Sequence, residues 1–400
     1  MAVNITYMGT KRDLATLVAQ VIDQTQTGAL LDAFAGMCTV GEQVAPRRQI
    51  WSNDTQVFAA EVAKALFTSV DDPPDAIWTA DLHFDNFEKH RARLSDKYNE
   101  PLEIERLLHT TEKFTPFTRR RNILRQQIDR ITEKSRRRNR NLFTTTYSDS
   151  YFGLQQSIDA DAIVGAIVEV HEAGETTLDQ KRWCLLALGR ALLKVSNSTG
   201  HFAQYLTPNQ LSFHRFSSQR RRDLWTEWLF SIGELSAVGT IDWRKQNKAF
   251  NEDSLVLIPR LAKSKERPSL IYADPPYTDD QYSRYYHILE TLMLYDYPDV
   301  SGAGLYRSAR FSTPFSLKCK VAQAFDDLIK SVRELGADLV LSYPSNGLIH
   351  EVGTTPKTIL KRYYDKVERC CAVPHRHSTF GASKGWAQAN VTEVIYLAKS

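Results

Sequence analysis

The sequence predicts an α/β domain built on a parallel sheet and interrupted by a long, mostly helical insertion. Three observations predict it. Short apolar runs alternate with helical stretches from residue 29 to residue 80, strand signals then nearly vanish, and apolar strands return after residue 268. Alternation of strand and helix at this spacing is the pattern of βαβ units. The strand-poor span of roughly 180 residues far exceeds any ordinary loop.

Each element follows from its own pattern. Leu14, Leu17, Val18 and Val21–Ile22 recur at helical spacing behind Thr10, a plausible N-cap. Ala29–Ala35 (ALLDAFA) is an apolar run that stops at a glycine, as a buried parallel strand does. Gln49–Ser52 reads as a second strand, Val57–Phe67 as a helix, and Ala76–Ala80, closed by Asp81, as a third strand. The insertion, residues 84–264, carries long charged helices, one with Trp183, Leu186 and Leu192 at its core. Strands resume at Ser269–Ala273, Ala337–Ser342 and Glu393–Ala398, so residues 1–83 and 265–400 form one discontinuous domain. Tyr285, Tyr286, Ile288, Leu289 and Leu292 mark a helix with a packed face, which makes His287 and Glu290 structural, whereas His375–His377 reads as a solvated loop.

Composition narrows the class. Apolar residues make up 42% and charged residues 24% of 400 positions, which excludes collagen-like, coiled-coil and largely disordered chains. No apolar run approaches the ~20 residues needed to span a bilayer, and the N-terminus has no basic segment followed by an apolar one, so neither a membrane anchor nor a secretory signal is expected. The five cysteines include no CxxC pair, which points to free thiols in a reducing cytoplasm and to no metal site. The formal charge of +4 conceals an uneven distribution. Residues 101–140 hold ten Arg and two Lys against five acids, a net +7, and Arg215, Arg220, Arg221 and Arg222 form a second cluster. Ser, Thr, Asn and Gln interleave the arginines, a mixture suited to phosphate contacts. Arg119, Arg120, Arg121, Arg136, Arg137, Arg138, Arg140, Arg220 and Arg221 are therefore candidate nucleic-acid contacts.

Two segments carry chemistry. Asp274-Pro275-Pro276-Tyr277 directly follows the strand SLIYA and so sits at the carboxyl end of a parallel strand, where open α/β sheets bind ligands. Two consecutive prolines make a stiff turn with carbonyls and no N–H donors. Beside a carboxylate and an aromatic ring, that turn can accept two hydrogen bonds from an amino group while Tyr277 stacks on the ring that bears it. The second segment, Asp32 to Gly41 (DAFAGMCTVG), turns a strand into a helix at Gly36. Asp54 lies 18 residues beyond Gly36, at a strand end where a carboxylate can bind ribose hydroxyls.

Taken in order, these segments resemble the N6-adenine DNA methyltransferases of the Dam-like class. The order is Tyr7-Met8-Gly9-Thr10-Lys11-Arg12, the turn DAFAGMCTVG, the insertion, then Asp274–Tyr277. Tyr282–His287, Asp296-Tyr297-Pro298, Leu341-Ser342-Tyr343 and Asn197–His201 extend the likeness, which covers about half the chain. The resemblance implies a Rossmann-like methyltransferase sheet with S-adenosylmethionine as methyl donor. Asp32, Phe34, Gly36 and Asp54 would bind the donor, Asp81 would sit near its adenine, and Tyr7 and Lys11 near its methionine end or the target. It further implies double-stranded DNA as partner, a target adenine flipped from the helix, Asp274, Pro275, Pro276 and Tyr277 as the catalytic set, and, by family alone, a paired restriction endonuclease. Cys38 stands where the family's second glycine is usual. Competing readings are an RNA N6-adenine or DNA N4-cytosine methyltransferase, a nucleic-acid-binding protein of this fold without activity, and, more distantly, a nicotinamide dehydrogenase without its glycine fingerprint.

Overall fold

The computed structural model describes residues 14–135, 139–377 and 389–400. Its centre is a sheet of seven described strands in the order β3-β2-β1-β4-β7-β9-β8. The strands are β1 (Leu30–Asp32), β2 (Ile50–Asn53), β3 (Lys248–Phe250), β4 (Leu270–Ala273), β7 (Asp338–Pro344), β8 (Val367–His377) and β9 (Ala389–Ala398). Strands β3, β2, β1, β4 and β7 run parallel, while β9 is antiparallel to both β7 and β8. A small antiparallel ribbon, β5 (Val300–Ser301) and β6 (Tyr306–Arg307), lies apart.

Strands β1, β2, β4 and β7 are buried on both faces, and their residues alternate between two cores. On β4, Leu270 and Tyr272 join one core while Ile271 and Ala273 join the other. That two-sided burial explains why these strands read as continuous apolar runs. One face is covered by α13 (Ser254–Ala262), α15 (Val321–Leu335) and α17 (Pro356–Tyr363), with short α16 (Leu348–Glu351) at its end. Helix α15 docks through Val321, Ala324, Phe325, Leu328, Ile329, Val332 and Leu335, an uninterrupted i, i+3/i+4 stripe. The other face is covered by α1 (Ala15–Ile22), α2 (Thr39–Val44), α3 (Val57–Phe67) and α14 (His287–Leu294).

Between α3 and β3 the chain is helical: α4 (Ala76–Lys97), α5 (Asn99–His109), α6 (Phe114–Glu133), α7 (Leu142–Thr146), α8 (Leu154–Glu172), α9 (Leu178–Val195), α10 (Phe213–Arg220), α11 (Leu224–Gly233) and α12 (Ile241–Arg244). Helix α9 packs directly on α3 and α14, so its Trp183, Leu186 and Leu192 share the core of the sheet. A third apolar cluster, including Tyr98, Phe117, Leu124, Phe213 and Phe216, joins α5, α6 and α10.

Three expectations are corrected. Ala76–Ala80 is not a strand but the first turn of α4. Asp75 caps that helix by accepting from the amides of Ile77 (2.8 Å) and Trp78 (3.0 Å), and Ile77 is 73% exposed, so the apolar run is not core. The sheet's third strand is instead Lys248–Phe250, inside the span read as inserted. Three half-buried residues give too little pattern to be recognised. Finally, His375–His377 belongs to β8, an edge strand that tolerates Pro374 because only one side of it is paired.

Candidate active site

Strand register places the functional residues along one edge. Asp32 ends β1 opposite Ser52 of β2 and Tyr272 of β4. Asp54 follows β2, and Asp274 follows β4. Since β1 is flanked by β2 on one side and β4 on the other, this edge is the topological switch point at which open α/β sheets form their cleft. The cleft encloses about 1000 Å3, its open mouth included. Asp32, Phe34, Gly36, Asp54, Asp274 and Tyr277 all line it, as do Pro275 and Pro276.

The β1–α2 turn is held by its neighbours. Asp54 accepts from the amides of Gly36 (Oδ2, 2.9 Å) and Gln56 (Oδ1, 2.9 Å), so its carboxylate fixes the glycine turn. The Gly36 amide is thereby committed to Asp54, and in this arrangement the turn shapes the cleft through close backbone approach. Asn53 and Ser254 both donate to the carbonyl of Ala33, at 3.2 and 2.7 Å. Cys38 adopts φ 62°, the left-handed region that glycine enters without strain. Its buried thiol is pushed well above the ordinary range by desolvation and by Asp32, so it stays protonated.

On the other wall, the Tyr277 carbonyl accepts from the Leu348 amide (2.8 Å), which anchors the Pro-Pro turn to α16. Residues 280–283 and 311–316 are joined across the mouth. Gln281 accepts from the Thr313 amide (2.9 Å), and the hydroxyls of Ser283 and Ser316 donate to the carbonyls of Phe311 (2.7 Å) and Asp280 (3.1 Å). Phe315 meets Phe34 edge-on at 5.4 Å, so the second wall closes onto the β1–α2 turn.

Electrostatically the cleft is a cluster of buried acids. Burial raises the Asp32 carboxyl to about 8, with Asp274 and Asp54 adding repulsion, against a weak hydrogen bond from the Phe34 amide. Burial likewise raises Asp54 to about 6 despite its amide partners. Such sites favour a ligand bearing positive charge or hydroxyl donors.

Not every expected residue converges here. Asp81 is exposed on α4, because the strand it was expected to close does not exist. The carboxylate that enters the cleft from the true third strand is Asp253, which also caps α13 through the Leu255 amide (2.9 Å). Sequence reading missed it; the available signal was Asp253-Ser254 ahead of an amphipathic helix. Tyr7, Lys11, Arg136, Arg137 and Arg138 lie outside the described residues. Among the remaining arginines, Arg121 is buried and bonded to Asp149 (Nε–Oδ1 2.9 Å), and Arg220 is buried and donates to the Ser150 carbonyl (2.7 Å). Those two brace the interior and are not available to a phosphate. Arg120 donates to the Leu107 carbonyl (3.2 Å), Arg221 to the His109 carbonyl (2.6 Å), and Arg140 approaches Glu172 at 3.9 Å. Arg119 is exposed. As expected, Glu290 and His287 are structural: Glu290 accepts from the Val57 and Phe58 amides at the start of α3, and His287 Nε2 meets the Phe202 carbonyl at 2.9 Å.

Strand order and the reversed β9 are those of a Rossmann-like methyltransferase fold. More narrowly, residues 237–340, from ahead of β3 into β7, match the family of D12 class N6 adenine-specific DNA methyltransferases. The chain is 23% identical over 346 residues to modification methylase LlaI of Lactococcus lactis subsp. lactis, covering 86% of this chain and 46% of that protein. It is 23% identical over 376 residues to modification methylase StsI of Streptococcus sanguinis (92% and 48%), and 24% identical over 351 residues to the type II methyltransferase M.FokI of Planomicrobium okeanokoites (86% and 45%). The chain thus spans about half the length of these relatives. No helix among the described residues is long and apolar enough to cross a membrane.

Proposed function

We propose that the protein transfers a methyl group from S-adenosylmethionine to N6 of an adenine in double-stranded DNA, as the modification partner of a restriction endonuclease. The observation that carries the reading is the convergence of Asp32, Asp54 and the Asp274–Tyr277 turn, from three separate strands, on one cleft.

The residues present fit the donor. Its cationic, diol-bearing body suits a cleft walled by Asp32, Asp54 and Asp253, and its flat base suits Phe34 and neighbouring apolar surface. Asp54 would hold the ribose, and the turn from Phe34 to Gly36 would bound the site. When bound, S-adenosylmethionine supplies a methyl group on a positively charged sulfur. The protein's own work lies on the target side. Asp274 and the following carbonyl would each accept a hydrogen bond from N6, turning its lone pair away from the ring, while Tyr277 stacks on the base. The prolines offer no competing N–H. Orientation and electrostatics then carry catalysis. No cysteine nucleophile is called for, in keeping with a Cys38 thiol held protonated.

The helical segment between α3 and β3 is proposed as the target-recognition region, with Arg119, Arg120, Arg140 and Arg221 as its phosphate contacts. Work in the cytoplasm follows from that substrate. Labelled methyl donor with unmethylated DNA, followed by mapping of modified bases, tests the reading. N6-methyladenine at one recurring sequence is expected; label in RNA or in cytosine alone overturns it.

A further inference from the structure

A second, smaller cavity adjoins the cleft and shares Gln56, Ser283 and Phe311 with it. Arg307 and Arg310 line it, and Arg284 lies on the neighbouring Tyr306 ring. Arg307 is buried and paired with Asp296 (2.6 Å), so its charge is satisfied by the fold. Glu290, the cavity's acid, is committed to the first amides of α3. Arg310 differs, for it has no ion pair among the described residues and lies over the Tyr306 ring at 4.8 Å. Arg284 reaches the same ring at 5.3 Å, donates to the Tyr306 hydroxyl (2.9 Å), and meets Asp280 only at 3.9 Å. Tyr306 is itself fixed by donating to the Ala203 carbonyl.

Two guanidinium groups are therefore gathered on one ring at the mouth of the cleft. Their placement is enforced by the mouth itself: Arg284 follows Ser283, Arg310 precedes Phe311, and Ser283 is bonded to Phe311. Guanidinium forks match phosphate oxygens in geometry. A nucleotide base entering the cleft brings its own phosphodiester to the cleft's rim.

We propose that Arg284 and Arg310, set by Tyr306, grip a backbone phosphate of the nucleotide whose base occupies the cleft, and so hold the flipped target during transfer. The proposal rests on the DNA-methyltransferase reading. These are positioning residues, separate from the arginines of α6 and α10.

The test uses the full chain and a duplex bearing its mapped site. In Arg310→Gln and Arg284→Gln, KM for DNA should rise about tenfold with kcat within a few-fold, and the slope of log affinity against log salt should shrink by about 0.9 for one lost phosphate contact. Donor affinity should be unchanged, and Arg310→Lys should rescue in part. On the unsubstituted protein, a single neutral methylphosphonate beside the target nucleotide should weaken binding, and Arg310→Gln should add little to that loss. Full additivity at every phosphate flanking the target overturns the proposal, as does an unchanged salt slope. Loss of donor affinity equal to the loss for DNA also overturns it, by assigning the arginines to the donor's carboxylate. Absence of transfer to DNA by the unsubstituted chain is a different failure, since it removes the underlying function.

Discussion

The carboxyl edge of the sheet and the helical segment ahead of β3 treat charge in opposite ways. At the sheet edge, Asp32, Asp54 and Asp274 line one cleft, and burial raises Asp32 and Asp54, which have no cationic side-chain partner among the described residues. In the helical segment the buried acids are held by named partners: Asp149 takes Arg121 and Arg125, Asp159 takes Arg91, and Asp161 takes the amides of Phe143 and Thr144 and the Tyr295 hydroxyl. Desolvated carboxylates are costly to keep, and around a cavity they suit a ligand bearing positive charge or hydroxyl donors. Paired buried charge marks architecture. A similar distinction sorts the arginines: the buried Arg121 and Arg220 are braces, whereas exposed or cleft-rim arginines are the candidates for phosphate.

The largest effect expected from breaking this contrast is at the turn. Asp274→Ala should lower methyl transfer more than a thousandfold, the scale of a lost transition-state contact compounded by misalignment, while DNA and donor affinities change only a few-fold. Equal loss of binding and rate, measured by titration and single-turnover kinetics, would make Asp274 structural. Next comes a brace. Arg121→Ala should destabilise the fold by about 3 kcal/mol, the low end of the cost of stranding a buried partner, because Arg125 still reaches Asp149. Arg119→Ala should leave stability within about 0.5 kcal/mol. Denaturant melts of the two variants, read side by side, decide whether the sequence cluster mixes two roles.

Smaller effects sharpen the sheet edge. Asp32 and Asp54 have folded pKa values raised above the unfolded value of 3.8, so each binds its proton more tightly in the folded state. Their contribution to stability is therefore greatest below about pH 4 and declines as pH rises, to about 6 for Asp54 and about 8 for Asp32. Asp32→Asn should raise the melting temperature of the ligand-free protein at pH 8 but not at pH 4, and should weaken donor binding at both. A melting temperature unaffected at pH 8 would show that Asp32 is not strained. Donor affinity in the unsubstituted protein should climb between pH 6 and pH 8 with proton release, which calorimetry in buffers of different ionisation heat detects. In a parallel comparison, Asp253→Asn should weaken donor binding about tenfold whereas Asp81→Asn should not change it. The smallest effect is at Cys38. Cys38→Gly removes a left-handed strain of about 1 kcal/mol but also a fully buried side chain, so stability should move by less than about 1 kcal/mol with donor affinity retained.

Much of this was legible in residue patterns. The strands β1, β2, β4 and β7 and the helix α3 were readable because two-sided burial makes a parallel strand apolar throughout and α3 keeps a helical period over eleven residues. Asp32, Gly36, Asp54 and the Asp274–Tyr277 turn were readable because each ends such a strand. β3 was not, since three half-buried residues at a sheet edge carry no periodic signal, and the apolar run at Ala76 stood in its place. Asp81 was misplaced with that run, and Asp253 was missed with β3.

Local chemistry by itself thus pointed to strands β1, β2, β4, β7 and β9, to the sheet edge that carries the cleft and to the Asp274–Tyr277 turn, because those depend on neighbours in the chain. Only the tertiary structure decided which carboxylate completes the cleft, which arginines are braces, and that Arg284 and Arg310 meet on Tyr306. Those outcomes depend on contacts between residues far apart in sequence, where packing and desolvation set the role of a charge that composition can only count.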